Sequence, residues 1–216
     1  MTVVRAASSQ LSSMATDMRA RASSLKSQAT TMLACDFFAV DTELLKQLYV
    51  LFFIELDTRR VFIIGITEHP TGARVVQQAR NPAYELSEGT QCVEFLIRER
   101  DTKFTAAFDE VFHTEGIRLI CTPVRAPRAN TFTERFVGTV CRECTDRMLI
   151  VNRRHLETVL CEYVEHYNSH RLNRSLSQLA PVPRQTVLEM PKDVRHSALR
   201  WSDRLGGLIH EYRLVA

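Results

Sequence analysis

The 216-residue sequence lacks any run of roughly 18 apolar residues, so nothing in it reads as a membrane span. Its most apolar stretch, Leu48 to Leu56, is strand-sized and is interrupted by Glu55. Residues 1–31 contain no apolar core of a secretory leader. The six cysteines are therefore expected as reduced, buried thiols. No internal repeat is present, which argues against a solenoid or propeller. A strong net charge is also missing. The balance of +3 is too small to argue for a nucleic-acid partner by itself. What remains is ordinary globular composition, 45% hydrophobic and 25% charged, at a length that suits one full core plus some tail.

The distribution of charge says more than its sum. Between Arg118 and Arg154 stand eight arginines (118, 125, 128, 135, 142, 147, 153 and 154) against three acids, Glu134, Glu143 and Asp146. Two readings of this surplus stay open: a surface that faces phosphates, or a solvated helix face laced with Arg–Glu pairs. Cys141 and Cys144 form a CxxC, with His166 and His170 downstream, which resembles a zinc spacing. The intervening gap of 21 residues exceeds the ~12–15 of the usual pattern, and both cysteines fall inside a helical repeat. A cysteine–histidine zinc site is accordingly not expected.

Residues 1–31 are rich in Ser, Ala, Thr and Arg, with Asp17 the only acid, and read as a tail or linker. From Met32 the texture changes. Cys35–Val40, Leu48–Leu56 and Val61–Thr67 read as three strands, with a short turn at Asp57–Arg60 that favours antiparallel pairing. Thr71–Ala79 predicts a helix begun at Thr71, and Val93–Ile97 a short strand. Phe104, Ala107, Phe108, Val111 and Phe112 fall at helical spacing, with Gly116 as the stop. Ile117–Cys121 reads as a fifth strand. A loop at Pro123–Pro127 then leads into a long helix carrying Phe136, Val137, Val140, Cys144 and Met148 on one side. The last clear helix carries Leu156, Val159, Leu160, Tyr163, Val164 and Tyr167. Three strands feeding βαβ units predict an α/β fold: a mixed five-stranded sheet with helices on both faces. The core is expected over 32–178. The segment 179–216 is expected as an irregular tail, with a short hairpin or docking piece near 203–212.

Carboxylates within such a fold matter most where they interrupt apolar strands. Asp36 sits between Cys35 and Phe37-Phe38. A buried carboxylate needs a partner, either an arginine or a metal. Glu99 and Asp101 follow the fourth strand and would point to one side of an extended chain, where ligands of α/β sheets often bind. Glu134 opens the long helix, where it either complements the helix dipole or projects into the cleft that the other acids face. Acids from separate elements would make an oxygen-rich cage of the kind that Mg²⁺ or Mn²⁺ prefers.

These residues carry a resemblance. Asp36-Phe37-Phe38-Ala39-Val40-Asp41-Thr42, followed by Tyr49 to Arg60, resembles the opening strands of the retroviral-integrase-like DDE transposases of bacterial insertion elements. Phe95 to Phe104 is similar to the second motif of that family, and Thr122 to Phe136 to the third. His166-Tyr167-Asn168 with Arg171 to Leu176 is similar to its closing signature. The likeness runs from about residue 28 to 176, with four motifs in order. It implies a ribonuclease H-like fold and a catalytic triad of Asp36, Glu99 and Glu134, with 34 residues between the last two. It implies two divalent ions, Mg²⁺ or Mn²⁺, ~3.5–4 Å apart on the scissile phosphate, held by these acids. Asp101, at a position the family does not use as a ligand, is a further metal candidate. Water as nucleophile would nick DNA, and a 3′-hydroxyl would transfer a strand. Arg125, Arg128, Arg135 and Arg142 are the candidates for holding the DNA backbone.

The implied partners are DNA, both element ends and target, and further copies of the chain. A separate helix-turn-helix subunit and a cytoplasmic, nucleoid-associated setting are also expected. The family carries aspartate where Glu99 stands, and a Pro-His where Leu172-Asn173 stands. The region before the core is also shorter and more polar than the family's usual helix-turn-helix. A truncated copy, or one piece of a longer reading frame, is therefore expected. Glu99 places its carboxylate a methylene farther out, so weakened strand transfer is expected. The alternatives are a catalytically inactive remnant that binds DNA or transposase subunits, and a plain metal-dependent nuclease.

Overall fold

The computed structural model describes residues 29–88, 93–122, 131–182 and 199–214. Strands β1 (Met32–Asp41), β2 (Gln47–Glu55) and β3 (Val61–Thr67) form an antiparallel meander. Helix α1 (Gly72–Glu88) leads to β4 (Phe95–Arg98), α2 (Ala106–Thr114) and β5 (Arg118–Cys121). Both late strands run parallel to β1, which gives a mixed sheet in the order β3-β2-β1-β4-β5. Helices α3 (Thr131–Glu143) and α4 (Arg153–Ser169) follow, and then a separate hairpin of β6 (Leu199–Arg204) and β7 (Ile209–Leu214).

The period of two along each strand divides the core into two halves. Leu33 and Cys35 of β1, Leu51 and Phe53 of β2 and Leu96 of β4 join Val75 and Ala79 of α1 and Phe108 and Phe112 of α2. The alternate residues Ala34, Phe38 and Val40, with Val50, Phe52 and Ile54, join Phe136 and Val140 of α3 and Leu156, Leu160 and Tyr163 of α4. The central strands are thus covered on both faces, which is why Leu48 to Ile54 reads as an almost unbroken apolar run. The expected mixed five-stranded sheet with helices on both faces is what forms.

Two helix ends differ from the sequence pattern. Helix α1 continues to Glu88, beyond the periodic residues that end at Ala79. Helix α3 stops at Glu143, short of Met148. Cys144 leaves the helical region (φ −135°, ψ −73°) as its side chain enters the core, and a single 3₁₀ turn at Thr145–Arg147 follows. The stop at Gly116 is as expected. Its φ of +76° is one a side chain resists, and its N–H caps the carbonyl of His113.

Helix α4 begins at Asn152, whose side-chain oxygen accepts from the N–H of His155 (2.9 Å). At its other end Asn168 reaches the first residue of β3. Its Oδ1 accepts from Val61 N–H and its Nδ2 donates to Val61 C=O, both at 2.9 Å. The C-terminal hairpin docks on α4 through Leu205, which is buried, and whose N–H donates to Glu162 (2.8 Å). This hairpin lies within the segment expected as an irregular tail and begins four residues before the 203–212 piece. Among the described residues, no helix is long and apolar enough to cross a membrane.

Candidate active site

Asp36 belongs to the β1 face that carries Ala34, Phe38 and Val40, the face covered by α3 and α4. It is half-buried, opposite Phe52 in the register with β2. Its Oδ1 accepts from the N–H of Phe37 (2.7 Å). On the other side of β1, β4 pairs in parallel with Ala34 opposite Ile97 and Cys35 opposite Arg98. One further step of that register brings Glu99 level with Asp36. Ile97 packs on the α3/α4 side, so Glu99, two residues on, shares that side in extended chain. The topology thus sets two half-buried carboxylates on neighbouring strands, at the C-terminal end of β4.

Arg98 fixes this corner from the opposite face. Its guanidinium holds Asp109 of α2 with both arms (2.8 and 2.6 Å), and its Nη1 donates to the carbonyl of Glu99 (2.9 Å). Burial alone would lower the Arg98 pKa, but the Asp109 carboxylate outweighs it and raises it. Asp101 is committed elsewhere. It accepts from Lys103 through both backbone N–H (2.9 Å) and Nζ (2.6 Å). Burial would raise the Asp101 carboxyl, yet the lysine holds it below the usual range.

Glu134 lies in the first turn of α3 and is exposed. Two residues later Phe136 is inserted between Phe52 (ring centroids 4.9 Å), Phe38 (6.4 Å) and Tyr167 (5.2 Å). That seat anchors the start of α3 over the strand face that carries Asp36. The other end of α3 is braced by Glu143, which accepts both Nε (2.9 Å) and Nη2 (2.7 Å) of Arg171 and the hydroxyl of Tyr163 (2.8 Å). Burial would raise the Glu143 carboxyl, but Arg171 outweighs it and holds it low. The Tyr163 phenol is pushed well above its ordinary value by burial and by Glu143.

Asp36 and Glu99 therefore share one side of the sheet, and Glu134 is exposed on the helix that covers it. Among the described residues, the group of three possible metal ligands with donor atoms all within 4.8 Å of one another is His166, His170 and Glu211, and the acids do not form such a group. As a donor set, carboxylate oxygens from Asp36, Glu99 and Glu134 suit a hard ion such as Mg²⁺ or Mn²⁺. Of the arginine candidates, Arg135 and Arg142 are exposed on α3, whereas Arg125 and Arg128 lie outside the described residues.

Sequence reasoning passed over three features. Arg59 stacks on Phe132 of α3, with its guanidinium carbon 3.7 Å from the ring centroid, and burial lowers its pKa. It reads in sequence as one residue of a charged turn. The Glu143–Arg171 pair spans 28 positions, beyond the reach of any local spacing rule. The third is the histidine–glutamate cluster, whose Glu211 lies 45 residues from His166. The five described cysteines are free, and Cys161 is exposed, not buried. Burial pushes the Cys144 thiol up to about 12 and the Cys35 thiol well up, as expected of inert core thiols.

Residues 115–181 match the family model of the integrase core domain. No curated protein matches the chain. Among solved structures, the chain is similar to one in the cryo-EM structure of a simian T-cell lymphotropic virus intasome in complex with PP2A regulatory subunit B56 gamma. The TM-score is 0.57 at 12% identity, covering 82% of this chain and 64% of that one. This chain thus spans less than two thirds of that chain's length. The β3-β2-β1-β4-β5 sheet with helices on both faces is a ribonuclease H-like fold, and within it residues 115–181 are similar to the integrase core domain.

Proposed function

We propose that this chain carries out polynucleotidyl transfer on DNA, with Asp36, Glu99 and Glu134 as its catalytic acids. The observation that carries the reading is the register of β1 with β4. Continued one residue past the Cys35–Arg98 pair, that register supports a site in which Glu99 stands level with Asp36, with Glu134 supplied by the helix that covers this side. The integrase-core match and the integrase-like fold support the same reaction class. The working unit is residues 32–178. Its substrate is DNA, and further copies of the chain are its partners.

Asp36, Glu99 and Glu134 would hold Mg²⁺ or Mn²⁺, which supplies charge stabilisation at the scissile phosphate. The chain's own residues set the geometry. Arg98 clamps the backbone at Glu99, and Phe136 seats the helix that bears Glu134. Arg135 and Arg142, with Arg125 and Arg128, hold the DNA backbone by charge and hydrogen bonds, so they position the strand without reading its sequence. A 3′-hydroxyl attacking the phosphate gives strand transfer, and water gives a nick.

Glu99 tunes the activity downward. Its extra methylene displaces the carboxylate relative to an aspartate, and small misplacements in such sites cost ~10²-fold. Glu99→Asp is expected to raise strand transfer by about 10- to 10²-fold in an oligonucleotide joining assay with Mn²⁺. Asp36→Asn is expected to abolish it. Equal activity in wild type and both variants would refute the assignment. A second reading, an inactive core that binds DNA, is favoured by the open spacing of the three acids. Under that reading, calorimetry detects no Mn²⁺ affinity that Asp36→Asn removes, while DNA binding persists.

A further inference from the structure

The two histidines that fail as partners of the CxxC have a different companion. His166 lies in the last turn of α4 and His170, four positions on, is its C-cap, so the two rings lie on the same side of the helix end. The rings are parallel within 3°, with centroids 6.0 Å apart. Glu211 of β7 enters between them. Its side chain is fully buried, and its Oε1 lies 3.0 Å from His166 Nδ1 and 3.2 Å from His170 Nδ1. Among the described residues no cysteine takes part, and Cys144 sits in the core among α3 and α4 residues.

We propose that His166, His170 and Glu211 form a structural Zn²⁺ site that fastens the C-terminal hairpin to α4. Two imidazole nitrogens and one carboxylate oxygen are a borderline donor set, which suits zinc and disfavours Mg²⁺. The spacing is right as well. Zinc bonds of ~2.0–2.1 Å in tetrahedral geometry place neighbouring donor atoms about 3.3 Å apart. The two His–Glu separations, 3.0 and 3.2 Å, are close to that edge. The imidazoles keep some solvent exposure, 14% and 18%, which leaves a route for the ion and a place for a fourth ligand, water.

The other polar contacts that the described residues make with the cluster are compatible with an ion. Arg204 Nε lies 3.3 Å from Glu211 Oε1, and its Nη2 lies 3.5 Å from Glu165. A divalent ion taking Glu211 leaves Arg204 a carboxylate it already touches. Ser169 Oγ, 3.0 Å from His170 Nδ1, yields that nitrogen because its own hydroxyl donates to the carbonyl of Glu165. The site would tie residues 45 positions apart, across the boundary between the integrase-like core and the hairpin.

The test is calorimetric titration of the chelator-treated full chain with Zn²⁺, with Mg²⁺ as control. One Zn²⁺ per chain is expected, with no heat from Mg²⁺ at this site. His170→Ala and Glu211→Gln, each checked for native circular dichroism, should weaken Zn²⁺ on the order of 10²-fold, since even outer partners of metal ligands are worth 10–100-fold. Asp36→Asn should leave Zn²⁺ affinity unchanged, which separates this site from the acids of the proposed active site. Co²⁺ bound to the wild type should show tetrahedral visible bands without thiolate charge transfer, a readout that does not depend on any variant folding. Absence of Zn²⁺ binding, binding unaltered in folded His170→Ala, or a cobalt–thiolate band would each overturn the proposal.

Discussion

At the scale of single residues, the corner of the sheet that bears Glu99 is held by a cation on the opposite face. Arg98 is buried and has one carboxylate partner, Asp109, and one carbonyl, that of Glu99. Two parallel N–H···O bonds make this a forked pair that lysine cannot reproduce. Removing the arginine strands Asp109 and frees the backbone at Glu99. Breaking a buried pair costs ~3–5 kcal/mol, and Asp109 keeps 27% of its side-chain exposure, so Arg98→Ala is expected to cost about 2–4 kcal/mol. Arg98→Lys should fall between the two. Urea denaturation measures both, and a loss under about 0.5 kcal/mol for Arg98→Ala would show that the pair does not hold this corner.

At the scale of elements, α3 is a lever whose inner end is Phe136. Truncating a well-packed phenylalanine costs ~3–5 kcal/mol through lost burial and the cavity left behind. Phe136 is 1% exposed and touches three other rings, so Phe136→Ala is expected at the upper part of that range by thermal or chemical denaturation. A loss near 1 kcal/mol would mean that α3 is not seated by this residue. The same helix shows how far the sequence could be read. The strands β1 and β2, the stop at Gly116 and the face of α4 were legible, because each follows from a short apolar run, a short repeat or one backbone requirement. The grouping of Asp36 with Glu99 was legible only through the family resemblance, since their adjacency depends on a parallel pairing of residues 63 positions apart. The end of α3 was not legible. Cys144 and Met148 continue the helical spacing, and only the packing of Cys144 into the core shows why the chain turns there. Glu211 was invisible for the same reason: nothing near it in sequence says that it will be buried against two histidines.

At the scale of the whole molecule, α4 is the strut on which the parts meet. It holds β3 through Asn168, α3 through Tyr163 and Glu143, and the hairpin through Glu162 and the histidine pair. Arg171, just past its end, completes the α3 contact. This joint depends on pH, and the sign follows from Glu143. Its carboxyl is held below the ordinary 4.5 in the folded chain, so folding favours the ionised form. The contribution is therefore complete above the unfolded value, about 4.5, and is lost as pH falls through the lower folded value. The side chain is 37% exposed, so solvent screening keeps the effect modest, on the order of 1 kcal/mol. Glu143→Gln removes the charge at every pH. Wild type should accordingly exceed the variant by about 1 kcal/mol at neutral pH and match it at an acidic pH below the folded value. Paired urea denaturation curves at the two pH values isolate this difference from the titration of all other carboxylates. A gap that stays constant, or widens in acid, would mean that the Glu143–Arg171 contact does not couple α3 to α4 through charge.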